Sequence, residues 1–153
     1  MAKVGRAARN SSLMRVETIS TAGTTSAPSK IIRDAETGEV YFIDNSSGII
    51  VVQLPAPRAG MYFKFIISSA GNNSANSFAV ITDVVGTDVY GGILHNGAIS
   101  EVQGVSTVEF DASEGASTAG DFLELISDGT SWYCWGNVDT TAGLAFAAGH
   151  ALA

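Results

Sequence analysis

Apolar and polar residues alternate through most of this chain with a period of two, and Gly, Pro, Asn and Asp interrupt the alternation at short intervals. That period places successive side chains on opposite faces of a strand, so the pattern predicts β-structure throughout. Tyr62, Lys64 and Ile66 alternate with Phe63, Phe65 and Ile67. The second set makes the core face, and Lys64 reaches water on the other. Further strands are expected over residues 40–43, 49–54, 78–82 and 105–110. Turns are expected at Thr37-Gly38, residues 45–48, Gly86, Gly91-Gly92 and Asn96-Gly97, while Pro55 and Pro57 stop a strand. Residues 68–77 and 111–120 read as polar loops.

The sharpest local signal is LELISDGTSWYCWG, where two apolar runs meet at Asp128-Gly129. It reads as a hairpin of residues 121–127 and 131–136. Alternation puts Trp132 and Cys134 on one face and Tyr133 and Trp135 on the other, and one of these pairs belongs to the core. With about one strand per ten residues, the expected fold is all-β: a single compact sandwich or barrel-like domain of short antiparallel strands with an extended N-terminal arm. The arm is residues 1–29, basic and then Thr/Ser-rich; the β-domain is 30–138; an Ala-rich tail follows over 139–153. Gly143 and Gly149 count against a helix in that tail. Its Leu144, Phe146 and Leu152 fit either docking on a neighbour or a frayed end.

A chain of 153 residues, 46% hydrophobic and 15% charged, is long enough for one real core. The single cysteine, Cys134, allows no internal disulfide, and His95 and His150 form no zinc-like cluster, so no metal or cofactor is expected. No run approaches a membrane span and the first residues lack an apolar signal stretch. The expectation is a soluble protein that is not exported by the usual route.

The net charge of −7 hides an asymmetry. Lys3, Arg6, Arg9 and Arg15 precede every acidic residue, so residues 1–15 carry +4, and residues 16–153 set 4 basic against 15 acidic residues for −11. Phosphate would repel this body wherever it attracted the arm, which disfavours nucleic acid as a partner. The arm suits an acidic protein surface, or is a solubilising terminus.

No catalytic constellation emerges. Asp121, Glu124 and Asp128 could pair as acid and base for glycoside cleavage, but neighbouring acids on a hairpin also serve as a solvated face and a turn. Ser131, His95 and Asp83 lack a nucleophile elbow, and the Gly-rich pieces lack the context of a phosphate-binding loop. Tyr133 and Trp135, or Trp132, could stack a sugar, but aromatics are equally at home in a core or a subunit contact.

The ordered segments YFIDNSSGIIVVQLPAPRAGMYFKFII, FAVITDVVGTDVYGGIL and GDFLELISDGTSWYCWG carry a resemblance. Leu54-Pro55 ends a strand, Gly60 precedes the aromatic Tyr62-Phe63, and Gly120-Asp121 through Trp132-Tyr133 closes the domain. Over roughly residues 40–136 this resembles a β-module of tailed-bacteriophage virion proteins, most like small head decoration (cement) proteins of the lambda-like kind. The resemblance implies a non-enzymatic protein, commonly a homotrimer, made in the host cytoplasm and bound to the outer surface of the mature capsid, with the major capsid protein as partner and no small-molecule substrate. It implies an N-terminal segment that pairs with a capsid strand, which falls here on Lys3, Arg6, Arg9 and Arg15 for steering and on Val16, Thr18, Ile19 and Thr21 for strand addition. Trp135 and Phe146 are the expected subunit contacts. The alternative is a receptor- or carbohydrate-binding module of a phage tail fibre or tip.

Overall fold

The computed structural model describes residues 14–71, 76–83, 87–95, 97–111, 118–139 and 144–147. Twelve strands run in chain order among them: β1 (Val16–Ile19), β2 (Lys30–Ile31), β3 (Val40–Asp44), β4 (Ile50–Gln53), β5 (Tyr62–Ser69), β6 (Phe78–Ile81), β7 (Val89–His95), β8 (Ala98–Val105), β9 (Thr107–Phe110), β10 (Phe122–Ser127), β11 (Trp132–Val138) and β12 (Leu144–Ala147). They form two sheets packed together, one ordered β1-β3-β5-β10-β11-β7-β8 and a smaller one ordered β12-β9-β6-β4-β2. The all-β sandwich read from the alternation is the fold, but its sheets are mixed rather than antiparallel.

The first half of the chain alternates between the sheets. β1, β3 and β5 are parallel neighbours in the larger sheet, and β2, β4 and β6 are parallel neighbours in the smaller. The chain therefore winds as three stacked coils, with Val16 beside Val40 and Val40 beside Lys64, 24 residues apart each time. The turn at residues 45–48 does not fold β4 back onto β3 as a hairpin. It is a corner that carries the chain across to the other sheet.

Polar and small residues build that corner. Buried Asn45 donates its side-chain amide to the Asn76 carbonyl, and Asn76 Nδ2 returns a hydrogen bond to the Asn45 carbonyl at 2.8 Å. Two asparagines one coil apart thus each donate to the other's backbone carbonyl, helping to satisfy buried polar groups at the corner. On the other side, Gly23 N–H donates to the Ile49 carbonyl at 2.9 Å. A side chain at Gly48 would press on Ala22, so the coils approach closely because the residues between them are small.

The second half is built of local returns. β7 and β8 are antiparallel across the turn at Gly97, and β10 and β11 across Asp128-Gly129. Asp128 fixes the latter turn by accepting from Thr130 N and Ser131 N at 2.8 and 2.9 Å. Gly91-Gly92, expected as a turn, instead lies inside β7 at an irregularity between Val89 and Gly91. At Gly91 φ is 147° and a Cβ would sit 1.8 Å from the Cys134 carbonyl oxygen, so glycine is needed for the close approach of β11. The expected strand over residues 105–110 is divided at Ser106, where the chain leaves β8 in one sheet and enters β9 in the other.

Both segments expected to flank the β-domain enter it. Val16–Ile19, assigned to the arm, is an edge strand, and Leu144–Ala147, assigned to the tail, pairs with β9. The core between the sheets holds a run of contacting rings: Tyr41 to Phe65 at 5.4 Å, Phe65 to Phe78 at 5.6 Å, and Phe78 to Phe110 at 5.8 Å. Phe63 on β5 meets Trp132 on β11 at 5.7 Å, which ties the coiled half to the hairpin half.

Candidate interaction surfaces

The β10–β11 hairpin decides which tryptophan is core. Trp132 is fully buried and Cys134 nearly so, while Tyr133 and Trp135 stand on the outer face, Trp135 with 43% of its surface exposed. Burial pushes the Cys134 thiol up to about 12, leaving it protonated and inert near neutral pH.

Register brings residues from five strands of the larger sheet into rows on that outer face. One row runs Tyr62, Ile126, Tyr133, Tyr90; the next runs Lys64, Glu124, Trp135, Gly92, Glu101; a third runs Ile66, Phe122, Asn137, Leu94, Ile99. Six of the nine large apolar side chains exposed among the described residues lie here, the most open being Ile99 at 68%. Tyr90 and Tyr133 sit 6.1 Å apart and Tyr62 and Trp135 6.5 Å apart. The phenols are held at the rim, Tyr90 donating to Asp88 at 3.0 Å and Tyr133 to Asp128 at 3.1 Å. Sequence reasoning weighed only the hairpin's share of this face. Tyr90, Leu94 and Ile99 join it through the parallel β7–β11 pairing, which no local motif announces.

Charge on this face is largely paired internally. Glu124 accepts from Lys64 Nζ and from Tyr62 OH, each at 2.7 Å. Burial alone would raise the Glu124 carboxyl, but those bonds, with a smaller one from Trp135, outweigh it and hold it below the usual range. Burial and the bond to Glu124 push the Tyr62 phenol up to about 12.

A second surface lies where the coils begin. Among the described residues β1 and β2 each have a sheet partner on one side only, so both sheets end in a short edge strand there. The other three exposed large apolar side chains, Met14, Val16 and Ile31, belong to this region. Arg15 pairs with Glu39 at 3.4 Å, and Lys30 Nζ bridges Glu17 at 2.8 Å and Glu36 at 2.7 Å. The Glu17, Glu36 and Glu39 carboxylates come within 4.8 Å of one another, but Lys30 already supplies the countercharge for two of them. Burial would lower the Lys30 ammonium; the bonds to Glu17 and Glu36 override it and raise it.

The residues expected to pair with a capsid strand fall here in part. Val16 and Thr18 are exposed on β1, Ile19 is buried in the core, and Thr21 is exposed beyond the strand. Lys3, Arg6 and Arg9 lie outside the described residues. Phe146, an expected subunit contact, packs against this chain's own core from β12.

The candidate acids are not gathered into one site. Asp121 is buried and accepts from Thr118 N at 2.8 Å, Glu124 holds Lys64 on the outer face, and Asp128 shapes the turn. His95 faces Ser100 Oγ at 3.1 Å rather than Ser131. No protein-family model matches the chain, and no curated protein sequence matches it.

Proposed function

We propose that this protein is a non-enzymatic decoration or cement protein of a tailed-phage head, which binds the outer surface of the mature shell as a homotrimer and stabilises it against internal pressure. The observation that carries the reading is the edge at the start of the coils, where β1 and β2 end both sheets with Met14, Val16 and Ile31 exposed. An extended segment of the major capsid protein would add there as the next strand, its backbone groups pairing with the open side of β1 and its apolar side chains covering Val16. Strand addition needs no reacting group, which agrees with acids that each hold a neighbour or a turn.

Lys3, Arg6, Arg9 and Arg15 precede this edge and give it a positive approach to an acidic shell. With three copies joined, the second and third edges engage at high effective concentration, so individually weak contacts become a durable clamp.

Quantitative mass spectrometry of purified particles tests the reading. A ratio to the major capsid protein that is near one, or a fixed sizeable fraction, is expected; a handful of copies per particle, or none, refutes it. The double substitution Val16→Lys and Thr18→Lys should abolish shell binding while leaving the circular dichroism spectrum unchanged. Full binding by that variant would remove the edge from the mechanism.

A further inference from the structure

We infer that copies of this chain pack on one another through the outer face of the larger sheet, about an axis that runs along β11. The inference deepens the decoration reading by naming the surface on which its oligomer is built, and it rests on that reading only for the number of copies.

Composition argues first. The face concentrates aromatic and aliphatic side chains at its centre and keeps its charges paired or at the rim, as protein interfaces do. With 150–250 Å² per large aromatic side chain, the exposed portions amount to on the order of 500 Å² of apolar surface. A stable pair buries roughly 800 Å² per partner, which this centre and its polar rim together supply.

The charge pattern selects a second copy as the occupant. In the row that passes through Trp135, Lys64 lies two strands to one side of β11 and Glu101 two strands to the other, with Val40 and Val16 continuing the row beyond Lys64. Both are roughly 10 Å from β11 at the usual strand spacing. Rotation about an axis parallel to β11 lays the β5 side of one copy against the β8 side of the next, so Lys64 meets the neighbouring copy's Glu101. An axis across the strands would instead oppose Glu101 to itself. Lys64 can take the extra carboxylate, because its bond to Glu124 uses one of three ammonium hydrogens. Glu101 is exposed and accepts from Gln103 Nε2 at 2.9 Å. Trp135 then sits nearest the axis, where a fully desolvated ring contributes most.

Light scattering on the full chain at about 50 µM decides this, a concentration at which even a micromolar contact is mostly formed. The wild type is expected to be an oligomer of one defined size. Trp135→Glu should yield a monomer with an unchanged far-ultraviolet spectrum, and Glu101→Lys should weaken association about tenfold through like-charge contact with Lys64. A monomeric wild type, or an oligomer that survives both substitutions unweakened, overturns the inference. Should the wild type be monomeric and held by polysaccharide until Trp135 is removed, the face belongs to a glycan and the inference also fails. Absence from phage particles would sink the decoration reading while leaving an oligomer that dissociates in these variants fully explained.

Discussion

The two halves of the molecule reach the same sandwich by opposite routes. From Val16 to Ile81 each strand crosses to the other sheet, and its partner is the strand one whole coil away. In the hairpin half, β7 with β8 and β10 with β11 pair across turns of a few residues. The coiled half buries β4 and β6 on both faces, Val51 and Val52 being equally inaccessible, whereas β10 and β11 bury one face and open the other. Among these four strands, pairing one coil away goes with full burial and pairing across a turn with a surface left available for contact, while the coiled half exposes Val16 and Ile31 only at its edge strands β1 and β2.

The joint between the halves should be the most sensitive point. Trp132→Ala is expected to cost about 3–5 kcal/mol in urea unfolding, since it leaves a large void against Phe63. Trp135→Ala, three residues along β11 and on the outer face, should shift the monomer's stability by no more than about 0.5 kcal/mol. Trp132→Phe should recover most of the loss, because the buried indole N–H has no hydrogen-bond partner among the described residues. Equal costs at the two tryptophans would erase the distinction between the faces.

A corner substitution tests the coiled half alone. Asn45→Ala removes the amide that serves the Asn76 carbonyl and should cost about 1–3 kcal/mol. Hydrogen exchange should then quicken in β3 to β6 before it does in β7 and β8. Uniform acceleration would mean that the halves unfold as one unit.

A smaller, pH-dependent effect than at Trp132 or Asn45 is expected where β10 meets β5. Asp121 immediately precedes β10 beside β5, and burial, with Asp139 nearby, pushes its carboxyl up to about 6 although the bond from Thr118 N works against the rise. A raised carboxyl binds its proton more tightly folded than unfolded, so its contribution is full below about pH 4 and fades as pH rises through 6. Asp121→Asn should flatten that decline, leaving a melting temperature roughly a few degrees less dependent on pH between 4 and 7. An unchanged slope would show that Asp121 is not the titrating group.

Where pairing is local, the sequence was enough to read it. Asp128-Gly129 between two alternating runs located β10 and β11, and alternation from Tyr62 to Ile67 assigned Phe63 and Phe65 inward. The coils were hidden, because their strands share a spacing but little residue identity: VETI, VYFID and YFKFIISS stack in register, yet nothing in them names the partner. VETI also lies in a Thr/Ser-rich setting that reads as an arm until β3 offers it hydrogen bonds. The outer face was half legible. Tyr133 and Trp135 were known to share a side, but its identity as the outer one depends on Trp132 fitting against Phe63.

The lone thiol of Cys134 has a practical consequence. It is buried, protonated and carried on β11, an interior strand of the larger sheet, so it reports whether that part of the core is open. A maleimide or disulfide reagent added to the intact protein will react at the rate at which β11 is exposed, giving a chemical clock for native-state opening without any introduced label. The same seclusion lets the protein pass through oxidising surroundings without forming crosslinked pairs.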